Sequence, residues 1–367
     1  MTSTPSTAVP VSLGDRSYQI DIETGLLTTL GERLTRLGAK GRVGIVTDSH
    51  VGPLYARAVS RSLKAAGLTP FTMTVPAGER AKSVRWWSAL LDRLVATRCE
   101  RSTYLLALGG GVVGDLTGYV AASYLRGMPF VQVPTTVIAQ VDSSVGGKTG
   151  LNHASGKNLI GAFYQPRAVW IDPATLKTLP KRELLAGLSE VVKYGVIADA
   201  ALFEELEQRM DAIVQLEPTA IARMIQRSCE IKAEVVAADE REGDLRRILN
   251  YGHTIGHALE TLGNYRTWVH GEAVAIGMVQ EASLAASMGY CDPAVAARIE
   301  RLLVAAGLPT ALPRVTERQL WAAMQHDKKV AGGTVFGVWP ERIGAVKIAA
   351  LTRAAFAEWF RRHTRRR

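Results

Sequence analysis

The sequence has few cysteines, no membrane-length apolar run and no recognisable leader, and each gap removes a class of protein. Cys99, Cys229 and Cys291 are its only cysteines, widely scattered and without C-x-x-C spacing. Neither a disulfide framework nor a thiolate metal site is therefore expected. No apolar stretch approaches the roughly 18 residues of a membrane helix, so no membrane partner is expected. The opening MTSTPSTAVP lacks a basic start and an apolar run, so no secretory signal is expected and the cytoplasm is the default compartment. At 367 residues, 47% hydrophobic and 21% charged, the chain suits two globular domains with real cores. The net charge of +10 raises the question of a nucleic-acid partner. Part of that charge lies in the tail RRHTRRR (Arg361 to Arg367), the pattern of a solvated end. The lysines elsewhere stand among glycines and not among aromatics, so no nucleic-acid partner is expected. The remaining excess suits an anionic small molecule.

What the sequence does contain is concentrated. VDSSVGGKTGLNHASGKNLIGAF, from Val141 to Phe163, gathers small residues and fixed cations as a phosphate site would. Its Gly147-Lys148-Thr149 fits the end of a phosphate loop, but Asp142 stands where the first glycine belongs. A carboxylate there would face the anion, so the nucleotide triphosphatase reading fails.

Apolar runs at Arg42 to Asp48, Phe71 to Val75, Thr103 to Gly109, Pro129 to Pro134 and Ala168 to Asp172 alternate with helical patterns such as Val51 to Ala66 and Ser83 to Ala96. That alternation predicts a parallel sheet covered on both faces. From about Lys181 to Ala306 the chain reads as successive helices. The expected domains are an α/β half, 1–180, and a mostly helical half, 181–367.

In the first half, Gly109, Gly111 and Gly114 form G-x-G-x-x-G directly after a strand and opening a helix, the context in which backbone N–H groups approach a pyrophosphate. The acidic residue usual after the next strand is missing; that strand ends in VPTT. Thr135 and Thr136 are candidate hydroxyl substitutes, and Asp48 and the turn Pro76 to Lys82 end other strands at the same sheet edge. The reading is dinucleotide binding of an unorthodox kind.

In the second half, Glu190 and Lys193 lie one helical turn apart, His253 and His257 stand at i and i+4, and His270 and Glu272 open another helix. Two imidazoles and one carboxylate would leave an open coordination position, the pattern of catalytic zinc. Spacing does not decide whether His257 is a ligand or a neighbour, nor among Glu190, Glu260 and Glu272. Arg126, Lys148, Lys157, Lys193, Lys232, Arg246 and Lys328 occur in glycine-rich loops or beside the histidine motifs. Together they exceed the needs of one pyrophosphate and imply a phosphorylated, carboxylated substrate.

GGGVVGDLTGYVAASYLRG, VPTTVIAQVDSSVGGKTGLNHASGKNLIGAFYQP, LSEVVKYG, CEIKAEVVAADEREGDLRRILNYGHTIGHALE, VHGEAVAIGM and DKKV together closely resemble the 3-dehydroquinate synthase family, over about residues 40 to 345. The resemblance implies an α/β Rossmann-like N-terminal domain plus a mostly α-helical C-terminal domain, with the active site in the cleft between them, in a homodimer. It implies NAD and one divalent metal, Zn²⁺ or Co²⁺, the latter on Glu190, His253 and His270. NAD-contacting positions would be Asp48, Ala77, Gly78, Glu79, Arg80, Ala81, Lys82, Gly111, Val112, Val113, Gly114, Asp115, Thr135, Thr136, Asp142, Lys148, Lys157, Thr175, Leu176, Lys177 and Thr178. Substrate and catalytic positions would be Arg126, Lys148, Asn158, Lys193, Lys232, Arg246, Asn250, His257 and Lys328. On this pattern Lys148 and Lys157 offset Asp142. His50 departs from it, since an Asn is common there near the nucleotide.

The implied substrate is a phosphorylated sugar acid, 3-deoxy-D-arabino-heptulosonate 7-phosphate. It becomes 3-dehydroquinate and phosphate through oxidation by NAD, phosphate elimination, reduction and aldol ring closure. Related cyclases that make valiolone or inosose-type rings tend to change substrate-side positions, and Arg246, Asn250 and His257 here keep the dehydroquinate-synthase identities. A cyclase acting on an amino-sugar or other sugar phosphate is the alternative on the same fold. A metal-dependent alcohol dehydrogenase has no need of so many lysines.

Overall fold

In the computed structural model, which describes residues 6–327 and 334–364, the chain forms two compact units. The first runs to Leu179 and takes in Ile221–Arg241; the second is made of Pro180–Ala220 and the chain from Glu242 onward.

The first unit is built on strands β1 (Thr7–Val11), β2 (Tyr18–Ile22), β3 (Arg42–Asp48), β4 (Thr69–Val75), β5 (Tyr104–Gly109), β6 (Phe130–Pro134), β7 (Lys148–His153), β8 (Gly156–Phe163) and β9 (Ala168–Ile171). Seven form one sheet in the order β1-β2-β9-β6-β5-β3-β4. Only the β1–β2 pair is antiparallel; β2–β9, β9–β6, β6–β5, β5–β3 and β3–β4 are parallel. The reason is visible in β5. Leu106 and Leu108 enter one core with Leu30, Leu34, Val59 and Leu63, while Leu105 and Ala107 enter another with Leu90, Leu94, Val113 and Leu116. Alternate side chains point to opposite faces, so a strand buried on both sides must be apolar throughout. Helices α1 (Leu30–Arg36) and α2 (Arg57–Ala65) cover the first face, α3 (Val84–Ala96) and α4 (Gly111–Ser123) the second.

Two features depart from the sequence-based expectation. Lys148 and Lys157 do not stand in a loop: they lie on the antiparallel hairpin β7–β8, which follows a π-helical turn at Ala139–Ser143. Pairing of backbone groups made a sheet there without an apolar pattern. In addition, β1 and β2 extend the sheet ahead of the first anticipated strand.

Beyond Thr178 come α5 (Lys181–Ile197) and α6 (Ala200–Val214), then α7 (Pro218–Ala238), most of which belongs to the first unit. The second unit continues with α8 (His253–Leu262), α9 (His270–Ser287), α10 (Pro293–Ala305) and α11 (Glu317–Asp327). A hairpin of β10 (Val335–Arg342) and β11 (Ala345–Leu351) and a last helix α12 (Arg353–Thr364) complete it. Its core joins Ile255, Leu259, Ile276 and Leu284 to Trp339, Phe356 and Trp359. This unit is thus helical with one small hairpin.

Candidate metal and cofactor sites

Three helices of the second unit bring Glu190, His253 and His270 together. Their ligand atoms lie within 4.8 Å of one another. Oε1 of Glu190 is 3.6 Å from Nε2 of His253 and 3.7 Å from Nε2 of His270. Those separations are too long for hydrogen bonds. They are close to the roughly 3.4 Å edge of a tetrahedron with metal–ligand bonds near 2.1 Å. Glu190 is 1% exposed, and its Oε1, the oxygen that faces both imidazoles, has no hydrogen-bond partner. Lys193, one turn on, supplies an ion pair, as the i, i+3 spacing anticipates. A buried carboxylate with unmet acceptor capacity, facing two imidazole nitrogens, fits a divalent cation.

Glycine sets this convergence. A Cβ on Gly271, next to His270, would lie 1.9 Å from the carbonyl oxygen of Ala186, so α9 crosses α5 at backbone contact. Gly277 makes the same approach to α8, where a Cβ would lie 2.0 Å from the Gly252 carbonyl oxygen. Only glycine permits such approaches. His253 and His270 are each the first residue of their helix, and Glu190 lies on the neighbouring one.

The far side of each ring is also held. Nδ1 of His253 is 3.0 Å from the Tyr251 carbonyl, which must accept from it and so leaves Nε2 as the free lone pair. Nδ1 of His270 is 3.2 Å from Oε2 of Glu260, a buried carboxylate. That places Glu260 behind His270. Glu272, the third candidate acid, is engaged by Arg182 through two bonds of 2.7 Å and by the Val269 N–H at 3.2 Å. His257, Glu260 and His270 also form a compact group, with the His257 ring 5.1 Å from that of His253. Burial, and then the charge of Lys193, hold the His253 imidazole well below the ordinary histidine range. It is therefore neutral at pH 7, the form in which imidazole binds metal.

Other substrate-side candidates lie in both units. Arg246 (1% exposed) and Asn250 share a short helical turn, Leu245–Asn250, in the second unit. Asn250 donates to Glu242 at 3.2 Å, and Glu242 has a positive φ of 61°. Sequence reading passed over Glu242, which carries no spacing signal. In the first unit, Arg126 ends the turn after α4 with φ 63°, and Lys232 on α7 binds the Asp142 side chain at 2.7 Å and its carbonyl at 2.6 Å. Lys232 is thus a cation that the structure sets on Asp142. Lys328 lies outside the described residues.

The nucleotide-side candidates all belong to the first unit, and all but Asp142, Lys148 and Lys157 follow the carboxyl ends of its parallel strands, where open α/β sheets bind ligands. Asp48 ends β3, and its carboxylate accepts from the N–H groups of His50 and Val51 at 2.8 and 2.9 Å. Residues Ala77 to Lys82 follow β4, with Gly78 at φ +85°. Gly111 to Asp115 open α4 after β5, Thr135 and Thr136 follow β6, and Thr175 to Thr178 follow β9. No side chain caps α4, whose N-cap is Gly110, and the uncapped start of a helix suits an anion. Gly114 serves packing as well, since a Cβ there would meet Gln132 at 2.6 Å. Lys82, 4% exposed, binds Asp115 at 2.6 Å and also Asn158. Burial pushes the Asp115 carboxyl up, against the opposing pull of Lys82.

Comparison with known proteins points to one family. The model for the 3-dehydroquinate synthase N-terminal region matches residues 72–186 and that for the C-terminal region residues 187–330. A 3-dehydroquinate synthase of Citrifermentans bemidjiense is 50% identical over 344 residues, 94% of this chain and 95% of that protein. Among solved structures, 2-epi-5-epi-valiolone synthase from Streptomyces hygroscopicus subsp. jinggangensis, with NAD⁺ and Zn²⁺ bound, is 28% identical. It has a TM-score of 0.88, covering 97% of this chain and 99% of that one. A 2-deoxy-scyllo-inosose synthase complexed with carbaglucose-6-phosphate, NAD⁺ and Co²⁺ is 26% identical with a TM-score of 0.85, over 97% and 100% of the two chains.

Proposed function

Because this chain belongs to the 3-dehydroquinate synthase family, we propose that it converts 3-deoxy-D-arabino-heptulosonate 7-phosphate to 3-dehydroquinate and inorganic phosphate. The observation that carries the reading is the convergence of Glu190, His253 and His270 within 4.8 Å. The 50% identity over 94% of the chain favours this substrate over those of the cyclases at 28% and 26%.

When bound, NAD⁺ withdraws and returns one hydride, and the divalent metal, zinc or cobalt, polarises the substrate's C5 oxygen. Glu190, His253 and His270 hold the metal, and the Tyr251 carbonyl and Glu260 orient the two rings. The strand-end residues Asp48, Ala77 to Lys82, Gly111 to Asp115, Thr135, Thr136 and Thr175 to Thr178 bind the cofactor, with the uncapped start of α4 at its pyrophosphate. Asp142, Lys148 and Lys157 complete that contact. Lys193 and Arg246, fixed and nearly solvent-free, stabilise negative charge that develops on the substrate, as do Lys232 and Arg126. Asn158, Asn250, His257 and Lys328 orient the substrate. The C6 proton passes to the substrate's own phosphate, which leaves as the phosphate ion, so no dedicated base is required. The same family resemblance supports a homodimer working in the cytoplasm.

The test is release of inorganic phosphate from the heptulosonate phosphate, with NAD and metal varied independently. The reading expects release to need both, with no accumulation of NADH absorbance, because the cofactor is reoxidised in each cycle. NADH formation matched to substrate loss would mark a dehydrogenase instead.

A further inference from the structure

The wholly buried carboxylate of Glu281 sits where the mechanism above gives it nothing to do. It lies on α9, is 0% exposed, and reaches across to the start of α8. Its Oε2 accepts from the N–H of Gly252 at 2.8 Å and its Oε1 from the N–H of Ile255 at 2.9 Å. Gly252 is the N-cap of α8, in the left-handed region at φ 80°, and has no side chain of its own to cap with. A capping box satisfies the N-cap and third helical N–H groups with two side chains of the same helix. Here one carboxylate from a neighbouring helix does both, and the first residue enclosed between its two bonds is His253.

A second tie runs in parallel. The Tyr251 hydroxyl donates to the Met278 carbonyl on α9 at 2.8 Å, and the Tyr251 carbonyl is the group that accepts from His253 Nδ1. The backbone on both sides of His253 is therefore fastened to the helix that begins with His270.

We propose that Glu281 is a positioning residue, fixing the start of α8 so that Nε2 of His253 meets Glu190 and His270 at coordinating distance before any metal arrives. The inference rests on the metal reading above and extends it to a residue that touches neither metal nor substrate. A carboxylate suits this task better than an amide. Two N–H donors need two acceptors, and a glutamine in the same place would turn an NH₂ donor towards one of them.

The test is Co²⁺ affinity of the metal-stripped full chain, measured by competition with a chelating dye, for wild type, Glu281→Gln and Glu281→Asp. Ile299→Val, a buried substitution on α10, serves as a control for stability loss alone. Residues that orient metal ligands typically change affinity about 10- to 100-fold when altered. Glu281→Gln should weaken Co²⁺ binding by about tenfold or more, while Ile299→Val lowers the melting temperature and leaves affinity unchanged. Glu281→Asp, with the charge kept but the reach shortened, should fall between. Glu281→Gln binding Co²⁺ like wild type would overturn the proposal and leave the metal reading standing. Wild type failing to bind Co²⁺ would overturn the metal reading itself. Should both Glu281 variants fail to fold, hydrogen exchange of the wild type decides. Equal protection of the Gly252 and Ile255 amides with and without Co²⁺ supports positioning in advance, and protection only with Co²⁺ contradicts it.

Discussion

In the second unit the converging groups ride on helices locked together by glycine. Glu190 and Lys193 are 1% and 2% exposed, and the helices that carry His253 and His270 cross at backbone contact. In the first unit most of the nucleotide-side candidates follow five different strands, and several of them are exposed. On the proposed function, the contrast follows from what each site has to recognise. A metal ion tolerates errors of only a few tenths of an ångström in its ligands, so its site needs rigid supports. A long nucleotide makes many weak contacts and can be held by a row of strand ends. Substitutions in the second unit should thus act sharply through geometry, and those in the first should act by degrees through affinity.

The largest expected effect comes from Glu190→Gln. Losing the one carboxylate of the proposed metal set should lower kcat/KM by about a thousandfold, corresponding to roughly 4 kcal/mol of charge stabilisation. Metal content measured on the purified protein should fall with it, and normal cobalt loading in an inactive variant would break the assignment.

In the first unit, Asp115→Ala leaves Lys82 buried without its carboxylate. Breaking such a pair costs about 3 kcal/mol, so the urea midpoint should drop and NAD binding weaken, while Co²⁺ affinity stays the same. A matching loss of Co²⁺ affinity would erase the distinction between the units.

Gly271→Ala tests the helix crossing directly. A methyl placed 1.9 Å from the Ala186 oxygen must push α9 from α5. Overpacking of this kind costs about 1–3 kcal/mol. Calorimetry should show that loss, and the Co²⁺ affinity should fall in step.

A smaller effect is expected with pH. The His253 pKa is depressed in the folded protein, so below the unfolded value near 6.5 the unfolded chain binds a proton that the folded one refuses. Metal-free protein should accordingly lose stability as the pH drops below 6.5 towards the depressed value, and His253→Asn should flatten that slope. An unchanged slope would remove His253 from the account. Smallest of all is Arg182→Ala: Arg182 is 57% exposed, so its pair with Glu272 should be worth under about 1 kcal/mol, with Co²⁺ binding unaltered.

The legibility of these features in the sequence follows the physics of each. The parallel strands β3, β4, β5, β6 and β9 declare themselves, because burial on both faces forces a nearly continuous apolar run. The hairpin β7–β8 does not, since half-exposed residues such as Asn152 and Lys157 beside the exposed Asn158 carry no period-2 pattern. The β10–β11 hairpin of a helical unit was likewise unmarked. At the site, the i, i+4 histidine pair points towards metal chemistry, but spacing leaves His257 open as ligand or neighbour and Glu190, Glu260 and Glu272 equivalent. Only three-dimensional placement separates them: one faces both Nε2 atoms, one backs His270, and one is taken by Arg182. Glu281 had no signal at all, because its partners are backbone N–H groups 26 and 29 residues away.

Anomalous scattering at the cobalt edge, from crystals of the Co²⁺-loaded protein, measures the central arrangement most directly. The account predicts a single strong peak about 2.0–2.2 Å from a Glu190 oxygen and from Nε2 of both His253 and His270. A peak centred instead among His257, Glu260 and Nδ1 of His270 would contradict it.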